Sequence, residues 1–328
     1  MPRRRDGRDV PPAEDLAFLN PREPQRRRNH VFDRSSAAFR ILASSRNIDG
    51  YPSVNRGMST SSLIGSAATA AVLTAAIGGA VRTSTSKESS AARHVVVAEL
   101  FTSEGCSSCP PADALLQQIT SSSPIDGVEV LGLEEHVDYW DRLGWRDPFS
   151  SATFSNRQAE YAVGAFRFGQ LYTPQLVVDG AFEAVGSDRR NVRAAILAAA
   201  GRPAASVSVT ATAIGDRAKI EVAVEVPPQV ERTSTANVLV AIVEDGLATS
   251  VKRGENRNRT LLHSAVVRSL SAVGSLPLDA SGRFVRVDLP LAPEWRTPQL
   301  RVVGFVQERA GLRILGANSA GLGALPGR

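Results

Sequence analysis

One stretch constrains this chain more than any other: Phe101-Thr102-Ser103-Glu104-Gly105-Cys106-Ser107-Ser108-Cys109-Pro110-Pro111-Ala112-Asp113. It holds the only two cysteines of 328 residues, in C-x-x-C spacing. The β-branched apolar run at 94–101 leads into it and reads as a buried strand. The two prolines after Cys109 fit the first turn of a helix, where a missing N–H costs nothing. Asp113 falls in that first turn, where a carboxylate suits the dipole, and good helix formers follow it to Ile119. The local pattern is therefore strand, tight loop, C-x-x-C, helix.

That pattern places Cys106 near unpaired backbone N–H groups at a helix start. Both the N–H groups and the dipole favour a thiolate, with a pKa below the ~8.5 of a free cysteine. Cys109, one turn on, is expected to be the more shielded thiol, the one that resolves a mixed disulfide. Two other readings stand beside the redox one. A structural disulfide closing so short a loop removes little chain entropy. A zinc site lacks ligands, because no other cysteine exists and His30, His94, His136 and His263 show no paired spacing. The reading includes no metal ligand and calls for no cofactor.

The net charge of +5 lies in one place. Residues 1–57 carry 12 arginines, no lysine and 7 acidic residues, whereas 58–328 balance at 26 basic and 26 acidic. The basicity belongs to an arm, not to a folded face, so nothing argues for nucleic-acid binding. The arm 1–57 lacks a sustained hydrophobic period and reads as disordered. It is either a targeting arm or sequence upstream of a true start at Met58. Residues 57–81 carry no charge, and an Ala-rich apolar run at 63–77 is followed by small-residue sites at 78–80 and 90–92. This reads as an export signal, with a membrane anchor at 63–81 or an ordinary buried helix as the alternatives, and a linker to residue 92. Either way, residues 93–328 are expected outside the cytoplasm, periplasmic or secreted, where a disulfide persists.

Residues 93–201 read as an α/β domain. A second buried strand at 127–133 after the first helix makes a parallel βαβ unit, and His136 emerges beside Cys106 at the shared strand edge. There His136 is either a rim or relay group or a satisfied core histidine. A helix is expected at 152–166. A strand opens at Thr173-Pro174 and ends in Asp179-Gly180, a hairpin signal. A helix at 188–200, with Val192, Ile196 and Leu197 inward, closes the domain. Residues 202–328 alternate apolar and polar residues at 207–211, 218–226, 238–244, 261–270, 284–289, 300–307 and 312–316. About seven short strands read as an antiparallel β-sandwich. The polar loop 252–259 is either a contact to the first domain or partner, or a solvated hairpin tip.

The order β-α-β then α-β-β-α, with C-x-x-C after the first strand and Thr-Pro opening the third, resembles the thioredoxin fold. The resemblance implies Cys106 as nucleophile, Cys109 as resolving thiol, a cis Pro174, and Thr173 beside it positioning the substrate chain. It also implies a buried carboxylate on the first strand as proton acceptor; Glu99 stands one residue further from Cys106 than that family's aspartate, and a surface strand-edge carboxylate is the other reading of it. The chain departs from thioredoxin in lacking a tryptophan before the first cysteine and in having Ser107-Ser108 between the two. Residues 99–113, His136-Val137-Asp138-Tyr139-Trp140-Asp141, Tyr172-Thr173-Pro174-Gln175 and Arg253-Gly254-Glu255-Asn256 together resemble a secreted family, the domain of unknown function 1223 family. That resemblance covers most of 94–320 and implies a thioredoxin-like domain with a β-rich tail. The sequence thus supports an exported thiol–disulfide oxidoreductase acting on protein or small-molecule thiols, or else a non-catalytic binding module with a structural disulfide.

Overall fold

Strand β1 (His94–Thr102) sends Val96, Ala98 and Leu100 to one face and Val97, Glu99 and Phe101 to the other, and all six are buried. The computed structural model describes residues 94–122, 125–167 and 170–324. The arm, the apolar run and the linker read from the sequence lie outside these residues. No helix among the described residues is long and apolar enough to cross a membrane.

Helix α1 (Pro110–Ser122) starts at the two prolines, as its sequence requires, and buries Ala112, Leu115, Leu116 and Ile119 on one stripe. Strand β2 (Val128–His136) runs parallel to β1 in a register that sets Thr102 beside His136. A 3₁₀ turn (Asp138–Leu143) follows, then α2 (Ala152–Glu160), capped by Ser151 Oγ accepting from Thr153 N. The expected helix 152–166 changes character part-way, since Tyr161–Phe166 continues it as a π-helix. Strands β3 (Gln175–Val178) and β4 (Phe182–Val185) form a hairpin whose turn holds Asp179 and Gly180 at φ 47° and 62°. Helix α3 (Arg189–Ala200) is capped by Asp188, which accepts from the N–H groups of Arg190 and Asn191. It buries Val192 and Ile196, whereas Leu197 faces solvent.

The remaining strands are β5 (Ser206–Ile214), β6 (Arg217–Glu225), β7 (Ala236–Glu244), β8 (Leu247–Ser250), β9 (Thr260–His263), β10 (Val266–Leu276), β11 (Gly282–Pro290), β12 (Leu300–Glu308), β13 (Ile314–Gly321) and β14 (Gly323–Ala324). The run expected as one strand at 261–270 is broken at Ser264-Ala265, where Ala265 takes φ 58°.

The expected fold class, a thioredoxin-like α/β domain followed by a separate antiparallel β-sandwich, is contradicted. One mixed sheet of eight strands, ordered β13-β12-β7-β10-β2-β1-β3-β4, runs through both halves of the chain. Its junction is β10 beside β2, where Val266 pairs with Glu134 in parallel and Glu134 N donates to the Ala265 carbonyl at 2.8 Å. The reason is edge satisfaction. An apolar β2 with a free edge would leave buried N–H and C=O groups unpaired, and β10 supplies the partners. A second sheet, β11-β6-β5-β14, packs on one face of the β7–β12 half, while α1 and α3 cover that face at the β1–β4 half. The opposite face forms a shared core in which Val97, Leu131 and Leu133 meet Phe154 of α2 and Leu239, Val303 and Phe305 of the later strands. The ribbon β8–β9 stands apart from both sheets and carries the loop 251–259.

Candidate functional site

The C-terminal ends of β1 and β2 and the start of α1 converge on the two cysteines. Cys106 and Cys109 are joined by a disulfide, with Cα atoms 5.4 Å apart. The Cys109 carbonyl accepts from Ala112 and Asp113, so Cys109 stands directly before the helix rather than a turn inside it. Both cysteines are fully buried in this oxidised state. In this oxidised state Cys109 is no more shielded than Cys106. Ser107 and Ser108 form the outer surface of the loop, and the Ser108 hydroxyl lies 3.3 Å from Cys106 Sγ.

The Thr173–Pro174 peptide is cis, as expected, and it faces the disulfide: the Thr173 carbonyl oxygen lies 3.9 Å from Cys106 Sγ. Thr173 Oγ1 accepts from Trp140 Nε1 at 2.9 Å, which ties this loop to the 3₁₀ turn after β2. The Pro174 carbonyl accepts from Gly186 N, and a Cβ on Gly186 would fall 2.7 Å from Leu100 Cδ1 and 3.0 Å from Ala112 Cβ, so a larger residue there would displace the Leu100 side chain.

The loop 251–259 reaches across from the second half of the chain, settling it as a contact rather than a solvated tip. Asn256, fully buried, donates from Nδ2 to the carbonyls of Glu104 (2.8 Å) and Cys106 (2.9 Å). Glu255 Oε2 accepts from Ser107 N at 2.9 Å, and the hydrogen bonds from Ser107 lower the pKa of its carboxyl. Arg259 Nη1 donates to Asn256 Oδ1 and fixes the amide orientation.

Beneath the loop lies a buried polar cluster. His136 Nδ1 is 2.7 Å from Asp147 Oδ2, and its Nε2 is 3.2 Å from Glu134 Oε1. His263 Nδ1 is 2.7 Å from the same Glu134 Oε1, and its Nε2 is 3.2 Å from Glu104 Oε1. Burial alone would lower the pKa of His136, yet Asp147 and Glu134 hold it well above the usual value. Burial likewise opposes the charge on His263, but Glu104 and Glu134 raise its pKa to about 9. Asp113, which accepts from Thr102 Oγ1 at 2.7 Å, is pushed up to about 7 by burial and by Glu134. His136 thus emerges at the strand edge as the sequence indicates, but as a member of this cluster.

Glu99 is neither a surface carboxylate nor on the side of the sheet that α1 covers. It is buried on the α2 face, where Arg157 Nε donates to its Oε1 at 2.6 Å and the Tyr161 hydroxyl donates to its Oε2. Glu135 lies 3.5 Å from Arg157 Nε, and burial, with Glu99 nearby, pushes its pKa well up. Sequence reasoning missed Glu104, Glu134, Asp147, Asn256 and His263. Glu104 and Asn256 had a signal, as parts of the 99–113 and Arg253–Asn256 motifs; His263 joins His136 from 127 positions away, where no local spacing can pair them.

The family profile described as "Protein of unknown function (DUF1223)" matches residues 97–307, from within β1 through the C-x-x-C and the loop over it to within β12. The chain belongs to the DUF1223 family. Among solved structures, the Agrobacterium tumefaciens protein AGR_C_4864 is similar to this DUF1223 chain at 28% identity and TM-score 0.55, over 71% of this chain and 96% of its own. HBP35 of Porphyromonas gingivalis is similar in fold at 16% identity and TM-score 0.54, over 70% of this chain and 76% of its own. Among curated proteins, none matches the sequence.

Proposed function

We propose that this DUF1223 protein carries out thiol–disulfide exchange through Cys106 and Cys109 after export, with protein or small-molecule thiols as its substrates. The observation that carries the reading is the disulfide at the start of α1 facing the cis Thr173–Pro174 loop, with the Thr173 carbonyl 3.9 Å from Cys106 Sγ. In the reduced protein, the Cys106 thiolate attacks a substrate disulfide, forming a mixed disulfide and releasing one substrate thiolate. The Cys109 thiolate then attacks Cys106 Sγ, releases the second substrate thiolate and regenerates the Cys106–Cys109 disulfide. Two electrons pass to the substrate, and the reverse sequence oxidises a dithiol. The positive end of the α1 dipole, which begins directly after Cys109, favours thiolate formation in the C-x-x-C loop. Export is supported by the uncharged run 57–81 behind a basic flank.

Burial of both cysteines favours a second reading, a structural disulfide within a binding module. Equilibration with glutathione buffers, with Cys106–Cys109 oxidation read by mass spectrometry, separates the two. Exchange predicts a measurable midpoint and a mixed disulfide trapped on Cys106 by Cys109→Ser. A disulfide that stays closed across the buffer range, with no trapped adduct, supports the structural reading instead.

A further inference from the structure

Five ionisable side chains below the C-x-x-C loop are withdrawn from water: Glu104, Glu134, His136, Asp147 and His263 are each at most 2% exposed. Removing so many charged or polar groups from water is costly unless something compensates them. Their arrangement shows what can. Two ring nitrogens from different strands, His136 Nε2 on β2 and His263 Nδ1 on β9, converge on one oxygen, Glu134 Oε1, at 3.2 and 2.7 Å. These three atoms all lie within 4.8 Å of one another. Ligands sharing one zinc ion at ~2.0–2.2 Å sit roughly 3–4 Å apart, so shifts of about 1 Å or less bring all three onto one ion.

The outward-facing atoms fit the same assignment. The other nitrogen of each histidine faces a carboxylate, Asp147 Oδ2 for His136 and Glu104 Oε1 for His263. A metal-bound imidazole donates its second N–H to such a partner, which fixes the tautomer and ring orientation. Glu134 Oε2 accepts from Ser264 N at 3.1 Å, leaving Oε1 turned inward. The Phe149 ring stands edge-on to both imidazoles, at 5.3 and 5.6 Å, and limits water access.

We propose that Glu134, His136 and His263 form a binding site for one divalent transition-metal ion, zinc in the simplest case, with Asp147 and Glu104 orienting the histidines. Two imidazole nitrogens and one carboxylate oxygen suit a borderline ion such as zinc and are too few oxygens for calcium. The ion would join β2, β9 and the loop leading to Cys106, a structural role independent of the exchange chemistry.

The test uses the full chain with its disulfide intact, so that no thiol competes for metal. The protein is stripped with a chelator, incubated with zinc chloride alone, passed through a desalting column and assayed for metal by plasma mass spectrometry. About one zinc per chain is expected, with a rise in melting temperature. Cobalt loading should give weak visible bands without thiolate charge transfer. Asp147→Asn should weaken zinc binding about 10–100-fold, and His263→Gln should abolish it. Circular dichroism reports whether each variant folds, and the wild-type stoichiometry and cobalt spectrum decide the matter if His263→Gln does not. Negligible zinc on folded wild-type protein, a thiolate band with cobalt, or undiminished zinc on folded His263→Gln would overturn the proposal.

Discussion

Asn256 is the residue on which cover of the disulfide depends. Its single amide nitrogen serves two main-chain carbonyls, Glu104 and Cys106, and its carbonyl is held in turn by Arg259. Asn256→Ala leaves the buried Glu104 carbonyl without that donor, while the Cys106 carbonyl keeps the Cys109 N–H, and a buried unsatisfied group costs about 1–3 kcal/mol. We expect a loss of stability in that range by urea denaturation. The same change loosens the loop over the thiols, so the reduced variant should alkylate at Cys106 several-fold faster than wild type, about tenfold for each 1.4 kcal/mol of local opening. An unchanged alkylation rate in the folded variant would mean that the loop does not control access. Cys106→Ser, by contrast, should abolish exchange while leaving this cover in place.

At the scale of the element, the β3–β4 hairpin joins the halves of the molecule through its turn. Asp179 Oδ1 accepts from Val97 N at 2.8 Å, and the Asp179 carbonyl accepts from Ile314 N at 2.9 Å. Gly180 turns at φ 62° directly against residue 312, where an added Cβ would fall 1.9 Å from the Leu312 carbonyl oxygen. Gly180→Ala combines that clash with a left-handed backbone and should cost about 3 kcal/mol, read as a lower urea midpoint with little change in slope. The same turn carries a pH signature. Burial raises the Asp179 pKa from 3.8 to about 7 in the fold, with Glu99 adding to the shift. Between those values the folded chain binds the proton more tightly than the unfolded chain. Its contribution to stability is therefore complete below about pH 4 and is lost as pH rises through 7, by at most about 1.4 kcal/mol per pH unit. Asp179→Asn keeps an acceptor for Val97 and should flatten that part of the stability–pH curve; a profile identical to wild type would assign the slope to another group.

The two halves of the molecule share a buried charge cluster. Arg157 on α2 binds Glu99 on β1 and approaches Glu135 on β2 within the first half, and it donates across to Gln307 on β12 at 3.2 Å. Removing one partner of a buried ion pair costs about 3–5 kcal/mol because the other charge stays buried. Arg157→Leu should therefore destabilise the entire protein by that amount in a single cooperative transition. For the same reason a fragment of residues 94–201 should lack a cooperative thermal transition. It would lose the Phe305 and Leu239 side of its core and the β10 partner of β2. A soluble fragment that melts cooperatively would show that the eight-stranded sheet is not one folding unit.

The elements around the cysteines were legible in the sequence because local signals set them. Val95–Val97 favour extended backbone, Pro110 and Pro111 start α1, Asp179-Gly180 turns the hairpin, and alternation in 218–226 marks a half-buried strand. The cysteine pair was legible for the same reason, since its spacing spans four residues, whereas the cis Thr173–Pro174 bond was expected from the resemblance to the thioredoxin fold. What the sequence could not decide was which edge each strand would join. Alternation records which side chains face a core and is silent on whose core it is, so β7, β10 and β12 read equally well as a separate sandwich. Tertiary structure decided it through the open edge of β2, whose main-chain groups find their partners in β10. It likewise turned Glu134 and Glu135 to opposite faces of one strand and brought His263 to His136, because period-two geometry and long-range pairing, not sequence proximity, determine which charges meet in a buried site.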